Sequence, residues 1–317
     1  MAFGKTLIGA SVESGPEDGK YQIYSGVSQT AKLSSNYGSS FSSLGTISGT
    51  NGVAISGNGQ YILVGGIGSS GTTYLSSDYG ASFSPTSLQL ANTYSYDISE
   101  SGQYMVAGIS GYGEYSDDYG QTWNNFLAGS GDAFTSMSRS GQYIYLATRD
   151  NWIYYTTDFW YQGWNVISGF GVRSWNSVAI SETFGTLIAG DNYWLWKTTD
   201  NGATNTKLLA NMGGDIKCAI SGDGQYILAG ANNFNSSTGY YLYYSSNGGT
   251  SFGSHRVFGY AVVSVAMSLT GQYQLSVWDE QNGGNNRIYF SSDYGVTITH
   301  INTGIEYLKA YVSRSTL

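Results

Sequence analysis

Six of the eight tryptophans, Trp152, Trp160, Trp164, Trp175, Trp194 and Trp196, are crowded between residues 152 and 196. Around three of them, Trp152, Trp175 and Trp194, the chain places Tyr193, Arg149, Arg173, Asp150 and Asp191. That mixture suits recognition. An aromatic face stacks on the apolar face of a sugar ring, while carboxylate and guanidinium groups bond its hydroxyls. It suits a protein loop equally, because Trp, Tyr and Arg anchor protein interfaces. These eight residues are therefore expected to line one groove for a glycan or a protein partner. The competing expectation is that the rings fill gaps inside the fold, with Trp164 and Trp196 as core residues in either case.

Hydrolytic chemistry would need two carboxylates roughly 5–10 Å apart. Asp150 with Asp191, or Asp215 with Asp279 or Glu280, can supply such a pair. A chain with 21 Asp+Glu offers pairs of this kind by chance, so no catalytic residue is assigned. A glycoside hydrolase stands as the alternative to a binding protein, and a purely structural ring as a third reading. Metal chemistry has few ligands to draw on: Cys218 is the one cysteine, and His255 and His300 are isolated in sequence. The run DEQNGGNN from Asp279 carries oxygen ligands without the spacing of an EF-hand loop, and reads as a solvated loop. No metal and no cofactor is expected. Cys218 reads as a small buried apolar group. Asn235 begins a glycosylation sequon that means little without an export signal.

Composition narrows the partners. The 317 residues include 13 Lys+Arg against 21 Asp+Glu, a net charge of -8, and only 11% are charged. An ordinary domain has about 25%. Nucleic acid and anionic lipid both select basic surfaces, so neither is an expected partner. The 29 Tyr, 12 Phe and 8 Trp are too many aromatic groups for a solvated coil. Residues 1–14 contain no apolar run suited to a signal peptide, and no stretch approaches the ~20 apolar residues of a membrane span. The compartment is left open; a virus particle is one setting that needs no export signal.

The elements that position these residues are written in a repeat. One motif reads SGNGQYILVGG from Ser56, SESGQYMVAG from Ser99, SRSGQYIYLA from Ser138, SGDGQYILAG from Ser221 and SLTGQYQLSV from Ser268. Weaker copies begin at Gly15 and Ser181. A second motif follows each: SSNYGSSF from Ser34, SSDYGASF from Ser76, SDDYGQTW from Ser116, TTDFWYQGW from Thr156, TTDNGATN from Thr198, SSNGGTSF from Ser245 and SSDYGVTI from Ser291. Its third residues, Asn36, Asp78, Asp118, Asp158, Asp200, Asn247 and Asp293, are 40 to 47 positions apart. Within a unit the apolar segments are short, β-branched or aromatic, and bounded by Gly, Ser and Asn, which is strand patterning. No window carries a helical period. Four strands per unit and seven units predict an all-β fold, a seven-bladed β-propeller of four-stranded antiparallel blades, as a single domain over residues 1–317. Residues 305–315 resemble an innermost strand and are expected to close the ring or add a strand, although residues 7–13 fit the same slot.

The second motif resembles the Asp-box, or BNR repeat, of sialidases, some lectins, xyloglucanases, sortilin-type receptors and photosystem II assembly factors. The match is complete from Ser76 and from Ser116; Asn36 and Asn247 replace Asp, Trp160 replaces Gly, and Asn205 and Ile298 replace the final aromatic residue. The resemblance implies Asp-box hairpins, with Asp or Asn bonding its own turn, Gly at positive φ and the last aromatic packed into the blade. It also implies a test for sialidase activity, which uses three clamping arginines and a first-blade Arg-Ile-Pro. The first arginine here is Arg139 and no Arg-Ile-Pro exists, so sialidase is set aside. A lectin-like protein is the reading that combines scaffold and groove, in a setting such as viral attachment or a particle surface.

Overall fold

A computed structural model describes residues 18–26, 30–45, 50–66, 71–89, 93–159, 163–210, 212–232, 240–257, 260–280, 287–302 and 308–315. The alternative inner strand at 7–13, Trp160, the sequon at Asn235 and most of the loop after Asp279 lie outside them. The first sheet holds β1 (Gln22–Gly26), β2 (Lys32–Ser34) and β3 (Ser42–Ser43), with β26 (Leu308–Val312) on the free side of β1. The second holds β4 (Thr50–Ile55), β5 (Ile62–Gly66), β6 (Thr72–Ser76) and β7 (Ser84–Gln89). Next come β8 (Thr93–Ile98), β9 (Met105–Ser116), β10 (Asn124–Met137), β11 (Ile144–Thr148), β12 (Ile153–Thr156) and β13 (Asn165–Val166) in one six-stranded sheet. The fourth is β14 (Ser177–Ile180), β15 (Leu187–Gly190), β16 (Leu195–Thr198) and β17 (Thr206–Leu209). The fifth is β18 (Asp215–Ile220), β19 (Ile227–Asn232), β20 (Tyr240–Ser245) and β21 (Gly253–Val257). The sixth is β22 (Tyr260–Met267), β23 (Gln274–Glu280), β24 (Arg287–Ser291) and β25 (Thr299–Asn302).

The fold is all-β and every pairing is antiparallel, but the described residues form six sheets where the repeat predicts seven. The reason lies in β10. Its start, at Asn124–Leu127, pairs with β9, and its end, from Ala133, pairs with β11. Asp132 still opposes Ser110 beyond a register shift after Leu127, so both halves of the strand stay attached to β9 across the connection. Around the centre, β26, β4, β8, β10, β14, β18 and β22 neighbour one another in that order, and β22 meets β26 again. This is a ring of sheets about an axis. The apolar clusters lie between successive sheets: Ile23 and Leu33 against Val53 and Ile62, or Ile188 and Leu195 against Ile216 and Ile227. Both faces of a sheet are therefore covered, and β11 and β15 are buried along their whole length.

An inner strand has one unpaired edge, which is a hazard unless its backbone groups are satisfied. Side chains from the neighbouring inner strand supply the partners. Thr135 N–H donates to Ser95 Oγ at 2.8 Å, and Ile180 N–H to Ser136 Oγ at 3.2 Å. Ser177 Oγ donates to the Ile216 carbonyl at 2.7 Å, and Ala310 N–H to Ser264 Oγ at 3.2 Å. Asp97 does the same for Met137 N–H at 2.8 Å while also accepting from Tyr311 on β26. Burial pushes the Asp97 carboxyl up, against the pull of the Tyr311 hydroxyl. Just beyond β26, Arg314 pairs with Glu182 at 3.1 Å and Ser315 donates to Glu100 at 3.2 Å. The chain end is thus tied to three other inner strands or their turns.

The two sequence motifs meet across the sheet boundaries. Gly102 of the first motif has φ +81°, and a Cβ there would come within 2.0 Å of the Tyr61 ring from the preceding sheet. Tyr61 also packs on Tyr119, with centroids 5.3 Å apart. Tyr119 precedes the glycine of the second motif and has φ 62°, a left-handed conformation forced on a tyrosine. The same trio recurs as Tyr21, Gly59 and Tyr79; Tyr104, Gly141 and Phe159; Tyr226, Gly271 and Tyr294; and Tyr273, Gly19 and Tyr37. The last trio joins the sixth sheet to the first. Around it the second-motif turn is clamped alike in six copies. At Ser76 the hydroxyl donates to Asp78 at 2.8 Å and accepts from Gly80 N–H at 2.8 Å, while Ser82 N–H bonds Asp78 at 2.9 Å. The closing aromatics Phe41, Phe83, Trp123 and Phe252 pack against the core clusters.

The boundaries on either side of the fourth sheet are built differently. Phe184 stands where the glycine stands elsewhere, and Tyr143 stacks on it with centroids 4.9 Å apart. At the other boundary Thr186 replaces the tyrosine, and Lys197 Nζ donates to the Gly248 carbonyl at 2.8 Å.

Candidate functional site

The connection from β13 to β14 caps the boundary between the third and fourth sheets. It folds back so that Arg173 forms an isolated antiparallel bridge with Asn151, which brings Asp150, Trp152 and Arg173 together. From the opposite side, the turn before β16 presents Tyr193 and Trp194. Tyr193 is 61% exposed, Trp152 and Trp194 are half-buried, and Asp150 is exposed with φ 59°. These residues stand on a solid floor.

That floor includes two residues expected in the groove. Trp175 is fully buried among Phe170, Trp196 and Ile167, so it offers no face to a ligand. Asp191 is buried as well. Its Oδ1 accepts the backbone N–H groups of Tyr193 and Trp194, both at 2.7 Å, and its Oδ2 accepts Trp196 Nε1 at 2.9 Å. Three donors on this carboxylate hold the turn. Arg149 is drawn away to the axis, where it pairs with Asp132 and Asp215, each at 3.1 Å, and bonds Asn176 Oδ1 at 2.9 Å. Asn176 also lines a cavity of about 130 Å³ whose wall includes Tyr94 and Lys217. Asp215 is spent on this arginine, which also removes it from the other proposed pair.

Arg173 stays at the rim. Its Nε donates to the Phe170 carbonyl at 2.9 Å, its NH1 lies 3.8 Å from Asp191, and its guanidinium carbon is 4.3 Å from the Trp196 ring centre. A further cation joins it from β17. Lys207 Nζ sits 3.9 Å from the Trp194 ring centre and 5.0 Å from that of Trp196. Lys207 is invisible to local sequence reading. Its place is set by the register that pairs Trp196 with Lys207 across β16 and β17, and an exposed lysine on an outer strand reads as edge protection.

The other candidates have structural partners. His255 Nε2 lies 2.7 Å from the Gly295 carbonyl and its ring stacks on Tyr244. Cys218 is buried on the axis, where desolvation pushes its thiol up to about 12, the value of an unreactive sulfhydryl. Among the described residues no group of three His, Cys, Asp or Glu side chains is placed to hold a metal ion, and no helix is long and apolar enough to cross a membrane.

Comparison with known proteins is informative for the fold alone. No family model and no curated protein matches the chain. Among solved structures, the GH74 xyloglucanase from Xanthomonas campestris superposes with a TM-score of 0.64 at 14% identity, over 96% of this chain and 56% of that one. The chain thus spans little more than half of that enzyme. YCF48 bound to a D1 peptide superposes with a TM-score of 0.56 at 13% identity, covering 88% of this chain and 85% of that one. The Kuenenia stuttgartiensis hydrazine synthase gives 0.57 at 10% identity, with 81% and 96% covered. These likenesses establish a β-propeller scaffold.

Proposed function

We propose that the chain is a seven-bladed propeller of the Asp-box type that binds a glycan without cleaving it, at the rim between β12 and β16. The seventh blade is obtained by dividing the six-stranded sheet within β10, whose two halves pair with different partners. Seven inner strands about the axis and seven copies of the second motif support that division. One observation carries the binding reading: two half-buried tryptophans, Trp152 and Trp194, flank two cations on an immobile floor of Trp175, Trp196 and Asp191. Rigid aromatic faces with hydrogen-bonding groups at their margins are what sugar recognition asks of a protein surface.

Non-catalytic binding is favoured over hydrolysis because Asp191 and Asp215, one from each weighed pair, are committed to internal partners. The xyloglucanase likeness, at 14% identity, brings the scaffold and not the activity. A glycan array probed with the purified protein tests the proposal. Trp194→Ala should weaken binding to a retained glycan at least tenfold, since a central aromatic anchor is worth about 2 kcal/mol. Unchanged affinity would remove this rim from consideration, and release of reducing ends from polysaccharides would replace binding with hydrolysis.

A further inference from the structure

We infer that the ligand of this rim is an acidic saccharide, a pyranose bearing a carboxylate; the inference rests on the glycan reading above. The chain has 13 Lys+Arg against 21 Asp+Glu, so cations are scarce and two heads on one ring is a costly concentration. Arg173 and Lys207 both contact the Trp196 indole, at 4.3 and 5.0 Å from its centre, and so belong to one patch. Among the described residues Lys207 is in no ion pair, whereas Arg173 NH1 lies 3.8 Å from the Asp191 carboxylate and meets its charge. Lys207 is therefore the free positive head of the patch, held over the Trp194 ring.

The position of Lys207 gives the recognition its logic. In the free protein its ammonium covers the Trp194 ring at 3.9 Å, a weak contact at an exposed site. A neutral sugar stacking on Trp194 has to displace that ammonium and offers it nothing better than a hydroxyl. A uronate displaces it too, but supplies a charge-assisted hydrogen bond at the ring's edge. Lys207 thus acts against neutral rings and for charged ones, which is how specificity arises from a difference between two ligands. Arg173, its Nε and NH1 turned toward Phe170 and Asp191, is held in place beside it.

The test uses the whole protein and three oligosaccharides: oligogalacturonate, oligoguluronate and hyaluronan, each beside its carboxyl-reduced, neutral form. The expected result is at least tenfold tighter binding of an acidic form at low ionic strength. That preference should collapse to within threefold in 0.5 M salt, because exposed charges are screened there. Lys207→Gln, which keeps the stem and removes the charge, should bring acidic and neutral forms to within threefold of each other. Equal binding of acidic and reduced forms would overturn the inference and leave the glycan reading intact. No binding to any of these saccharides or to a neutral glycan array would overturn both. Equal binding of polyglutamate would show that charge alone is recognised and would overturn the saccharide.

Discussion

Four boundaries between neighbouring sheets, and one step inside the six-stranded sheet, are closed by the same three residues, and the two boundaries around β14–β17 are not. In the regular kind, a tyrosine from one sheet lies on a glycine of the next and stacks on the aromatic residue that precedes the second-motif glycine, as Tyr61 does on Gly102 and Tyr119. The contact needs two backbones in left-handed conformations and leaves no space for a ligand. At the exceptional boundaries, Phe184 fills the glycine's place and Thr186 the tyrosine's, and the candidate site lies at one of them. The two regions teach complementary lessons. A ring can standardise most of its joints and vary one blade, because each sheet touches only its neighbours. The varied blade is then where recognition can be placed without disturbing closure.

The sharpest way to break the comparison is to add one carbon. Gly102→Ala must hold an alanine at φ +81° with its Cβ 2.0 Å from the Tyr61 ring. Left-handed strain of about 1–2 kcal/mol and overpacking of about 1–3 kcal/mol together predict a loss near 3 kcal/mol in urea unfolding. Gly163→Ala, just before β13, has φ +85° but nothing within 4 Å. It should lose only the strain, about 1 kcal/mol. Equal losses would mean that the tyrosine sandwich carries no special rigidity.

A smaller effect asks what the second tyrosine contributes. Tyr119 is 38% exposed and held at φ 62°. Tyr119→Ala removes a ring pair worth about 1 kcal/mol and keeps the strain, so it should destabilise by that amount. Tyr119→Gly removes the same pair but relieves the strain, and should be nearly neutral. The fifth sheet already carries Gly248 before Gly249 in its second motif. If Tyr119→Gly is as damaging as Tyr119→Ala, the ring contact matters more than the backbone.

Much of this architecture was readable from the residues, and what was not has a physical cause. Gly102 and Tyr119 stand in motifs whose spacing announces the ring, yet nothing local says that Tyr61 touches both, because the contact crosses a sheet boundary about forty residues on. The count of sheets fails at Asp132 for the opposite reason: pairing with β9 resumes there, after a register shift, in a loop that composition marks as a break. In the site, Arg173 comes beside Asn151, while Trp175 is buried in the core, since tryptophan spacing in short strands does not encode exposure. Asp191 looks like a ligand group until its three donors are seen, and two of those belong to the turn it creates. Lys207 needed the register of β17.

The finest distinction concerns the turns, where the exceptional sheet is built like the rest. Bonds from the Ser82 hydroxyl and backbone hold the Asp78 carboxyl at about 2, below its ordinary 3.8. Bonds from Thr204 lower Asp200 in the same way, although Asp200 belongs to the fourth sheet. A carboxyl depressed in the folded state stabilises above its unfolded value, and that contribution is lost as pH falls from 3.8 toward the folded value. Both groups are exposed, so the effect is small and screened by salt. Asn already occupies this position at Asn36, whose Oδ1 accepts from the Ser34 hydroxyl and the Ser40 N–H. Asp78→Asn and Asp200→Asn should therefore preserve the fold and flatten, by the same amount, the fall of the urea midpoint between pH 4 and 2. A smaller response from Asp200→Asn would extend the peculiarity of the fourth sheet from its boundaries into its own hairpin.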